Sequence, residues 1–316
     1  MAPDQPGGLT REHVIWAYRL LLDRDPESED VIGPKLAGSQ STAELRHHLI
    51  TSGEFREKNP DFAHTNDPTV VIKEIAPGVR LFLDLSDHTI GLNILRGQYE
   101  QDEVRFVRGL LKPGDHAIDA GAHIGFFTMQ MASAVGPEGR VYAFEPLDAN
   151  ADLLEQSIAE NDFGGRVRLQ RAAVGAASGT ATLTFPVETL NTGGAYLLRD
   201  GGVPLAGNLK KEVPLIALDA LDLRRPVRFI KMDVEGAEPQ VLRGAARILE
   251  SDKPLILSEL HPTQLERASG ITADEFLAQI AAFGYCAHRL EHGIVGAPFD
   301  HAPADALVSV VLTPRA

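Results

Sequence analysis

The pattern of apolar and polar positions separates a helical N-terminal part of the chain from a longer part in which strands and helices alternate. Near the N terminus, apolar residues recur at helical spacing between polar stops. We predict one helix capped by Thr10 and stopped at Asp23, a second near 29–37, and a third capped by Ser41. Residues 59–68 have the composition of a linker. The N-terminal part is therefore predicted to be a small all-α module.

Strand periodicity begins after this linker. Two apolar runs, 70–75 and 79–85, are joined by an Ala-Pro-Gly turn and predict a β-hairpin. Residues 90–95 predict a further strand, and residues 100–111 predict an amphipathic helix. The changes in periodicity along the chain predict three regions: a helical module (9–58), a linker with a β-hairpin extension (59–98) and an α/β domain (99–316).

The rest of the chain alternates short apolar runs with amphipathic segments, which predicts a doubly wound, mostly parallel sheet. Strands are predicted at 117–119, 140–144, 167–171, 180–185, 213–218, 227–232, 254–257, 285–290 and 306–313. Helices are predicted at 126–134, 148–161, 238–249 and 272–283, and Asp219 is predicted to be a helix cap. The last strand follows another strand directly, so we expect it to enter the sheet antiparallel. The aperiodic, Gly-rich segment 188–208 is predicted to be a functional or disordered loop.

Residues 116–146 carry the clearest chemical pattern. A strand ends in Asp119, a turn contains Gly121 and Gly125, a buried helix follows, and a second strand ends in Glu145. Glycines let a backbone approach a ligand, and a helix N terminus offers free N–H groups. A nicotinamide dinucleotide requires a third glycine that is missing here, and Asp119 would repel a pyrophosphate. The pattern therefore favours a positively charged donor such as S-adenosylmethionine, with a dinucleotide and a ligand-free turn as the alternatives.

Composition and charge narrow the expected partners and compartment. The chain has 44 acidic and 30 basic residues, and its net charge of -14 argues against a general nucleic-acid or anionic-membrane binder. A single cysteine, Cys286, excludes an intrachain disulfide framework and a multi-cysteine metal site. No segment resembles a signal peptide or a transmembrane helix, so the sequence predicts a cytoplasmic protein without membrane insertion.

The segment from about 99 to 261 resembles the FkbM family of S-adenosylmethionine-dependent methyltransferases. The motifs that carry this resemblance occur in order along the chain: Gln98-Tyr99-Glu100, Ile118-Asp119-Ala120-Gly121-Ala122-His123-Ile124-Gly125, Phe144-Glu145-Pro146, Ala173-Val174-Gly175, Ile230-Lys231-Met232-Asp233-Val234-Glu235-Gly236-Ala237-Glu238 and Val241-Leu242-Arg243-Gly244-Ala245. His123 departs from the family, which usually has asparagine there. The resemblance implies a Rossmann-like methyltransferase sheet with an antiparallel last strand. The N-terminal module is similar to a helical domain of unassigned function, the DUF4214 type, with a plain helical packing unit as the alternative.

The resemblance also implies where the donor would bind. In such sheets the ligand lies beyond the carboxyl ends of the strands. Asp119 and His123 would lie near the amino-acid end of the donor, and Glu145 would bind its ribose hydroxyls. The residues expected to bind the cofactor are Asp119, Gly121, Ala122, His123, Gly125, Glu145, Ala172, Ala173 and Asp233.

Further acidic groups follow two strands that should be neighbours in the sheet. Asp233 follows one strand, while Glu259 and His261 follow the next. A hydroxyl nucleophile must lose a proton, and His261 is the first candidate base because of its ordinary pKa, with Asp233 second and Glu259 beside them. His261 could also simply end its strand. The same three residues, Asp233, Glu259 and His261, are a candidate site for Mg or Mn.

These observations predict an O-methyltransferase that acts on a hydroxyl of a sugar, a glycan or another small natural-product acceptor. The first alternative is a non-catalytic S-adenosylmethionine-binding or adaptor protein of a glycan-biosynthesis system. An NAD-linked oxidoreductase is disfavoured by the missing glycine. The expected partner is a small-molecule or glycan acceptor, and the sequence leaves a homo-oligomer open.

Overall fold

The computed structural model describes residues 9–39, 41–58, 62–64, 69–85, 87, 90–186, 192–199, 201–302 and 307–315. The helices are α1 (Arg11–Leu22), α2 (Glu29–Ala37), α3 (Thr42–Ile50), α4 (Gly53–Lys58), α5 (Gly91–Leu95), α6 (Gln101–Leu110), α7 (Phe126–Val135), α8 (Asp148–Glu160), α9 (Glu238–Gly244), α10 (Ala246–Ser251), α11 (Pro262–Gln264) and α12 (Ala273–Ala282). The strands are β1 (Phe62–His64), β2 (Val70–Ala76), β3 (Val79–Asp84), β4 (His116–Ala120), β5 (Arg140–Phe144), β6 (Val167–Gln170), β7 (Ala173–Val174), β8 (Gly179–Pro186), β9 (Tyr196–Leu197), β10 (Asn208–Ile216), β11 (Val227–Met232), β12 (Leu255–Leu260), β13 (Tyr285–Glu291), β14 (Ile294–Phe299) and β15 (Val308–Pro314). No helix of these described residues is both long and apolar enough to cross a bilayer.

The N-terminal module contains the three predicted helices and a fourth. Thr10 caps α1 as predicted: its N–H donates to His13 Nδ1 at 2.9 Å, and its hydroxyl accepts the His13 N–H at 3.4 Å. The fourth helix, α4, follows the point where the sequence predicted an end. Arg24, just after α1, donates to both carboxylate oxygens of Glu54 at 2.6 Å and so ties α4 to α1.

The next region contains a three-stranded sheet of order β1-β2-β3. The predicted hairpin is confirmed as β2 and β3, but part of the predicted linker is the strand β1, which pairs with β2. Residues 59–61 and 65–68 lie outside the described residues. The strand predicted at 90–95 is wrong, because residues 91–95 form the buried helix α5. A short, fully buried apolar run does not distinguish a helix from a strand by its periodicity.

The hairpin is bound to the α/β domain through its backbone. The Arg80 N–H donates to Asn161 Oδ1 at 2.8 Å, and Asn161 Nδ2 donates to the Arg80 carbonyl at 2.6 Å. The Phe82 N–H donates to Ser157 Oγ at 3.0 Å. Because α8 carries Ser157 and Asn161 follows its last residue, one edge of the hairpin lies against that helix.

The main sheet has the strand order β14-β13-β15-β12-β11-β4-β5-β6. Strands β12, β11, β4, β5 and β6 pair in parallel, while β15 lies antiparallel between β12 and β13. The predicted doubly wound, mostly parallel sheet with an antiparallel last strand is therefore confirmed. The strand β14, which forms one edge, had no prediction.

A second sheet, of order β7-β10-β8-β9, covers one end of the main sheet's carboxyl edge. Within the predicted loop 188–208, residues 192–194 form a 3₁₀ turn and β9 pairs with β8. Residues 188–191 and 200 lie outside the described residues. Asp219 does act as a cap, but for α10: its carboxylate accepts the N–H groups of Arg247 and Ile248 at 2.8 and 3.2 Å. The single helix predicted at 238–249 is in fact two helices, α9 and α10, that meet at Ala245.

Alternation along the strands separates two apolar layers. On β11, Phe229 packs into the layer shared with α6, α7 and the N-terminal helices, and Ile230 packs into the layer shared with α9 to α12. Lys231 follows Phe229 by two residues and lies on the side of α6 and α7. Burying the charge of a lysine among apolar side chains is costly unless the ammonium is paired, so Lys231 needs a negatively charged partner near the end of the strand.

Candidate active site

The turn after β4 requires glycine at two positions. Gly121 has φ +83°, and a Cβ there would lie 1.8 Å from the carbonyl oxygen of Asp233. Gly125 has φ +93° at the start of α7, and a Cβ there would lie 2.3 Å from Leu154 Cδ1. Gly121 therefore lets the β4 turn approach the end of β11, and Gly125 lets α7 approach α8.

His123 occupies the same turn with φ +49°. Among non-glycine residues, histidine, asparagine and aspartate are the ones most often found in this left-handed region. The histidine in place of the family's asparagine is therefore compatible with the backbone. Burial lowers the pKa of His123, so the imidazole is neutral at physiological pH.

Glu145 lies at the end of β5 and is 5% exposed. Its Oε2 accepts the His123 N–H at 2.8 Å, and its Oε1 accepts the Leu147 N–H at 2.9 Å and Asn150 Nδ2 at 3.4 Å. Burial raises the pKa of Glu145 to about 7 although these hydrogen bonds lower it. The carboxylate is held in a fixed orientation between two turns.

A cavity of about 400 Å³ lies beyond the carboxyl ends of β4, β5 and β11. This volume is within the range of small-molecule and cofactor sites. The polar residues that line the cavity are Glu100, His123, Glu145, Asp233, Glu235, Glu259 and Gln264. The apolar and small residues that line it are Ile90, Tyr99, Gly121, Phe144, Pro146, Ala173, Val174, Leu183, Gly193, Gly194, Ala195, Leu197, Val234 and Leu307.

Asp233 lies beside the turn that contains Gly121. Its N–H donates to the Ala120 carbonyl at 3.0 Å, which continues the pairing of β11 with β4. Its carboxylate accepts Lys231 Nζ at 2.8 Å, and the Asp233 side chain is 23% exposed whereas the Lys231 side chain is 7% exposed. One side of the carboxylate therefore pairs with a buried cation while the residue itself lines the cavity.

Two more carboxyl groups lie near Asp233. Glu100, Asp233 and Glu259 each present an oxygen within 4.8 Å of the others. Burial, followed by the negative charge of Asp233, raises the pKa of Glu259, and burial also raises the pKa of Glu100. At neutral pH, the cluster of Glu100, Asp233 and Glu259 (the carboxylate cluster) therefore holds at least one proton.

The structure brings some of the predicted site residues to the cavity and leaves others behind its wall. Gly121, His123, Glu145, Ala173, Asp233 and Glu259 line the cavity. The predicted residues that do not line it, as far as the chain is described, are Asp119, Ala122, Gly125, Ala172 and His261.

Asp119 lies under the cavity floor. It is fully buried, Thr128 Oγ1 donates to its Oδ2 at 2.5 Å, and its Oδ1 has no hydrogen-bond partner in the described part of the chain. Burial raises the pKa of Asp119 to about 6. Its negative charge helps to raise the pKa of Lys231.

His261 does not join the carboxylate cluster. It precedes α11, and its Nδ1 is buried without a hydrogen-bond partner among the residues that the structure describes. Burial, together with the charge of Arg267, lowers the pKa of His261. In the predicted metal set of Asp233, Glu259 and His261, the place of His261 is taken by Glu100.

Sequence reasoning missed Glu100 and the cavity wall from the second sheet. Glu100 precedes α6, far from the other acids in sequence, and only the quoted Gln98-Tyr99-Glu100 motif marked it. Gly193, Gly194 and Ala195 come from the aperiodic segment that was predicted as a functional or disordered loop. Its Gly-rich composition was the only signal.

The fold and the cavity define a Rossmann-like α/β protein with a ligand site at the carboxyl edge of its sheet. Residues 119–286, more than half of the chain, match the methyltransferase FkbM domain. The chain therefore belongs to the FkbM family of S-adenosylmethionine-dependent methyltransferases.

Individual relatives match shorter parts of the chain. Methyltransferase sdnD of Sordaria araneosa is 31% identical over 153 residues, which cover 40% of this chain and 59% of that protein. The 31-O-demethyl-FK506 methyltransferase FkbM of Streptomyces tacrolimicus is 29% identical over 180 residues, covering 48% of this chain and 67% of that protein. A solved structure of methyltransferase FkbM from Methylobacillus flagellatus KT is 16% identical, with a TM-score of 0.41, and covers 95% of this chain and 58% of that chain. The chain spans less than two thirds of the first curated relatives it matches, 59% and 57% of their lengths.

Proposed function

We propose that this protein transfers a methyl group from S-adenosylmethionine to a hydroxyl group of a sugar, glycan or other small natural-product acceptor. The observation that carries the proposal is the position of Asp233, which lines the cavity and touches the turn at Gly121. A proton acceptor thus stands next to the glycine turn at which this family's donor is expected.

The residues present fit the donor. The buried carboxylate of Glu145 keeps lone pairs available beside two backbone N–H contacts and would accept hydrogen bonds from a ribose diol. Ala173, Val174 and Leu183 give apolar walls for a flat ring. The turn at Gly121 would hold the amino-acid end, with His123 beside it.

Bound S-adenosylmethionine supplies an electrophilic methyl group on a sulfonium. The protein's own task is to hold the acceptor oxygen in line and to take its proton. Asp233 suits this task because Lys231 Nζ holds one of its carboxylate oxygens at 2.8 Å while the residue itself lines the cavity. Burial raises the pKa of Glu100 and of Glu259, which makes these two carboxyl groups less available as ionised bases at neutral pH.

An oxygen nucleophile is supported by chemistry and by one relative. A carboxylate is a suitable base for a hydroxyl, whose proton must leave as the carbon–oxygen bond forms. The relative from Streptomyces tacrolimicus is named as a 31-O-demethyl-FK506 methyltransferase, which supports O-methylation of a natural-product hydroxyl in this chain as well.

The alternative is a non-catalytic donor-binding or adaptor protein. The position of Asp233 in the lining of the cavity favours the enzyme, because an adaptor has no need of a base beside the donor turn. The experiment is to supply methyl-labelled S-adenosylmethionine with a panel of sugar, glycan and polyketide alcohols, and with matched amines. Label in an alcohol product supports the proposal, label only in amines overturns O-specificity, and donor binding without any transfer supports the adaptor.

We expect Glu145→Ala to weaken donor binding by roughly 1.5–3 kcal/mol, the value of hydrogen bonds to a charged group. This corresponds to about a 10- to 150-fold higher Kd, measured by calorimetry with S-adenosylmethionine. The matched control is Glu138→Ala, which removes an exposed acid away from the cavity. Unchanged donor affinity in a folded Glu145→Ala protein would contradict the ribose assignment.

We also expect that deletion of residues 1–58 leaves donor affinity intact. No described residue that lines the cavity precedes Ile90, and the hairpin is bound to α8 by its own backbone. Calorimetry with the donor, after circular dichroism has established that the truncated protein is folded, tests this. The apolar core runs without a break from α1 to α7, so lower solubility or stability is expected. A folded truncated protein that does not bind the donor would show that the proposed boundary at 58 is wrong.

A further inference from the structure

Lys231, on the central strand β11, is a buried cation next to the cavity-lining residue Asp233. Its side chain is 7% exposed, and Nζ lies 2.8 Å from Asp233 Oδ2 and 4.7 Å from the centroid of the Phe127 ring. The ammonium thus has a carboxylate on the cavity side and an aromatic face from α7.

Acidic groups approach this ammonium from three further elements. On β4, Asp119 is directly paired with Lys231 in the sheet register. On β12, Glu259 comes one residue after the pair Met232–Ser258 and so flanks Asp233. Glu100, just before α6, completes the carboxylate cluster. The ammonium therefore lies next to several carboxyl groups whose oxygens are of the kind that bind a divalent metal ion.

The charge state of Lys231 is set by these neighbours. Burial by itself lowers the pKa of the lysine, but Asp233, Glu100 and Asp119 outweigh it and raise the pKa well above its ordinary value. An ammonium paired with a carboxylate in this way is cationic at neutral pH. Since buried ion pairs can usually be replaced by apolar residues without loss of stability, a pair at the edge of a ligand cavity points to a role in the chemistry.

We propose that Lys231 is a positioning residue that supplies the positive charge of the carboxylate cluster, so that the protein works there without a divalent metal ion. The ammonium holds one oxygen of Asp233 in place. In the reaction proposed above, on which this part rests, the other oxygen takes the proton of the acceptor hydroxyl as the carbon–oxygen bond forms. Lys231 keeps its own protons throughout, and Asp233 returns its proton to solvent after the product leaves.

The first test needs no variant and no donor. Mn²⁺ titrated into the wild-type apo protein should give no calorimetric binding signal that depends on the cluster. Methyl transfer by the wild type should be unchanged by a chelator or by added Mg²⁺. Mn²⁺ binding that is lost in Asp233→Asn, or turnover that a chelator abolishes and Mg²⁺ restores, would overturn the proposal.

The second test separates positioning from folding. Lys231→Met should lower kcat by about 10²-fold, the effect of a misplaced catalytic group, while the donor Kd stays unchanged. Lys231→Arg, which keeps the charge, should recover part of that loss. The apo Lys231→Met protein should gain Mn²⁺ binding, since the cluster has then lost its internal cation. Full kcat in Lys231→Met overturns the proposal, and if this variant does not fold, the wild-type measurements still decide.

These readouts also distinguish this inference from the proposed function. Absence of methyl transfer by the wild type to every acceptor would remove the proposed function. The Mn²⁺ titrations of the wild-type and Lys231→Met proteins would then still test whether the Lys231 ammonium takes the place of a divalent metal ion in the carboxylate cluster.

Discussion

Asp233→Asn should lower the rate of methyl transfer about 10²–10⁴-fold, because a positioned base contributes by that factor. Donor affinity should change little, since the amide keeps the size of the carboxylate and the turn at Gly121 is retained. Single-turnover measurements with saturating S-adenosylmethionine give the rate, and calorimetry gives the donor Kd. The effect should appear as a loss of kcat.

The matched control is His261→Ala. His261 was the first candidate base in the sequence, but it does not line the cavity in the described part of the structure. This variant should therefore keep nearly all of the wild-type turnover. If His261→Ala loses turnover as severely as expected for Asp233→Asn while Asp233→Asn is active, the assignment of the base to Asp233 is wrong.

Gly121→Ala should have the largest effect on the donor site and on stability. A side chain at φ +83° costs about 1–3 kcal/mol, and overpacking typically costs a further 1–3 kcal/mol or so. Because the new Cβ would lie 1.8 Å from the carbonyl oxygen of Asp233, a backbone atom, the clash cannot be relieved by a rotamer change. The turn must move, so we expect donor binding to be lost. Urea unfolding and calorimetry with the donor measure the two effects.

Gly109→Ala is the control for this substitution. Gly109 lies on the exposed face of α6 without an atom within 4 Å of a new Cβ and without a positive φ. Alanine in a helix interior is favoured over glycine by about 0.5–1 kcal/mol, so this variant should be as stable as the wild type or slightly more stable. Wild-type donor affinity in a folded Gly121→Ala protein would contradict the close approach of the two strand ends.

Local sequence patterns placed two of the proposed donor-site groups at the edge of the sheet where the cavity lies. The turn with Gly121 and the acid Glu145 were recognised because each lies immediately after an apolar strand, and parallel strands bring their carboxyl ends to one edge. The sequence placed Asp119 at the same edge. However, side chains alternate between the two faces of a strand, and the sequence does not show how deeply the Asp119 side chain is buried. The structure buries Asp119 under the cavity floor.

The catalytic side depended on contacts between distant segments. Glu100, just before α6, and Glu259, on β12, both belong to the cluster, while His261, just before α11, does not. His261, two residues after Glu259, does not line the cavity in the described part of the chain, although Gln264 at the end of α11 does. In the sequence, residue type and ordinary pKa ranked His261 above Asp233 as the base; we propose Asp233 because it lines the cavity.

The sequence by itself determined the strand–helix alternation, the doubly wound sheet and the glycine turn, because periodicity and turn chemistry are local properties of the chain. Only the tertiary structure decided that residues 91–95 form a helix, that Asp219 caps α10, and that the aperiodic segment before β10 contributes to the cavity wall. It also decided which acidic side chains lie near the Lys231 ammonium. These outcomes depend on which elements pack together, and the free energy of burying a charge or a short apolar run is fixed by its neighbours in space.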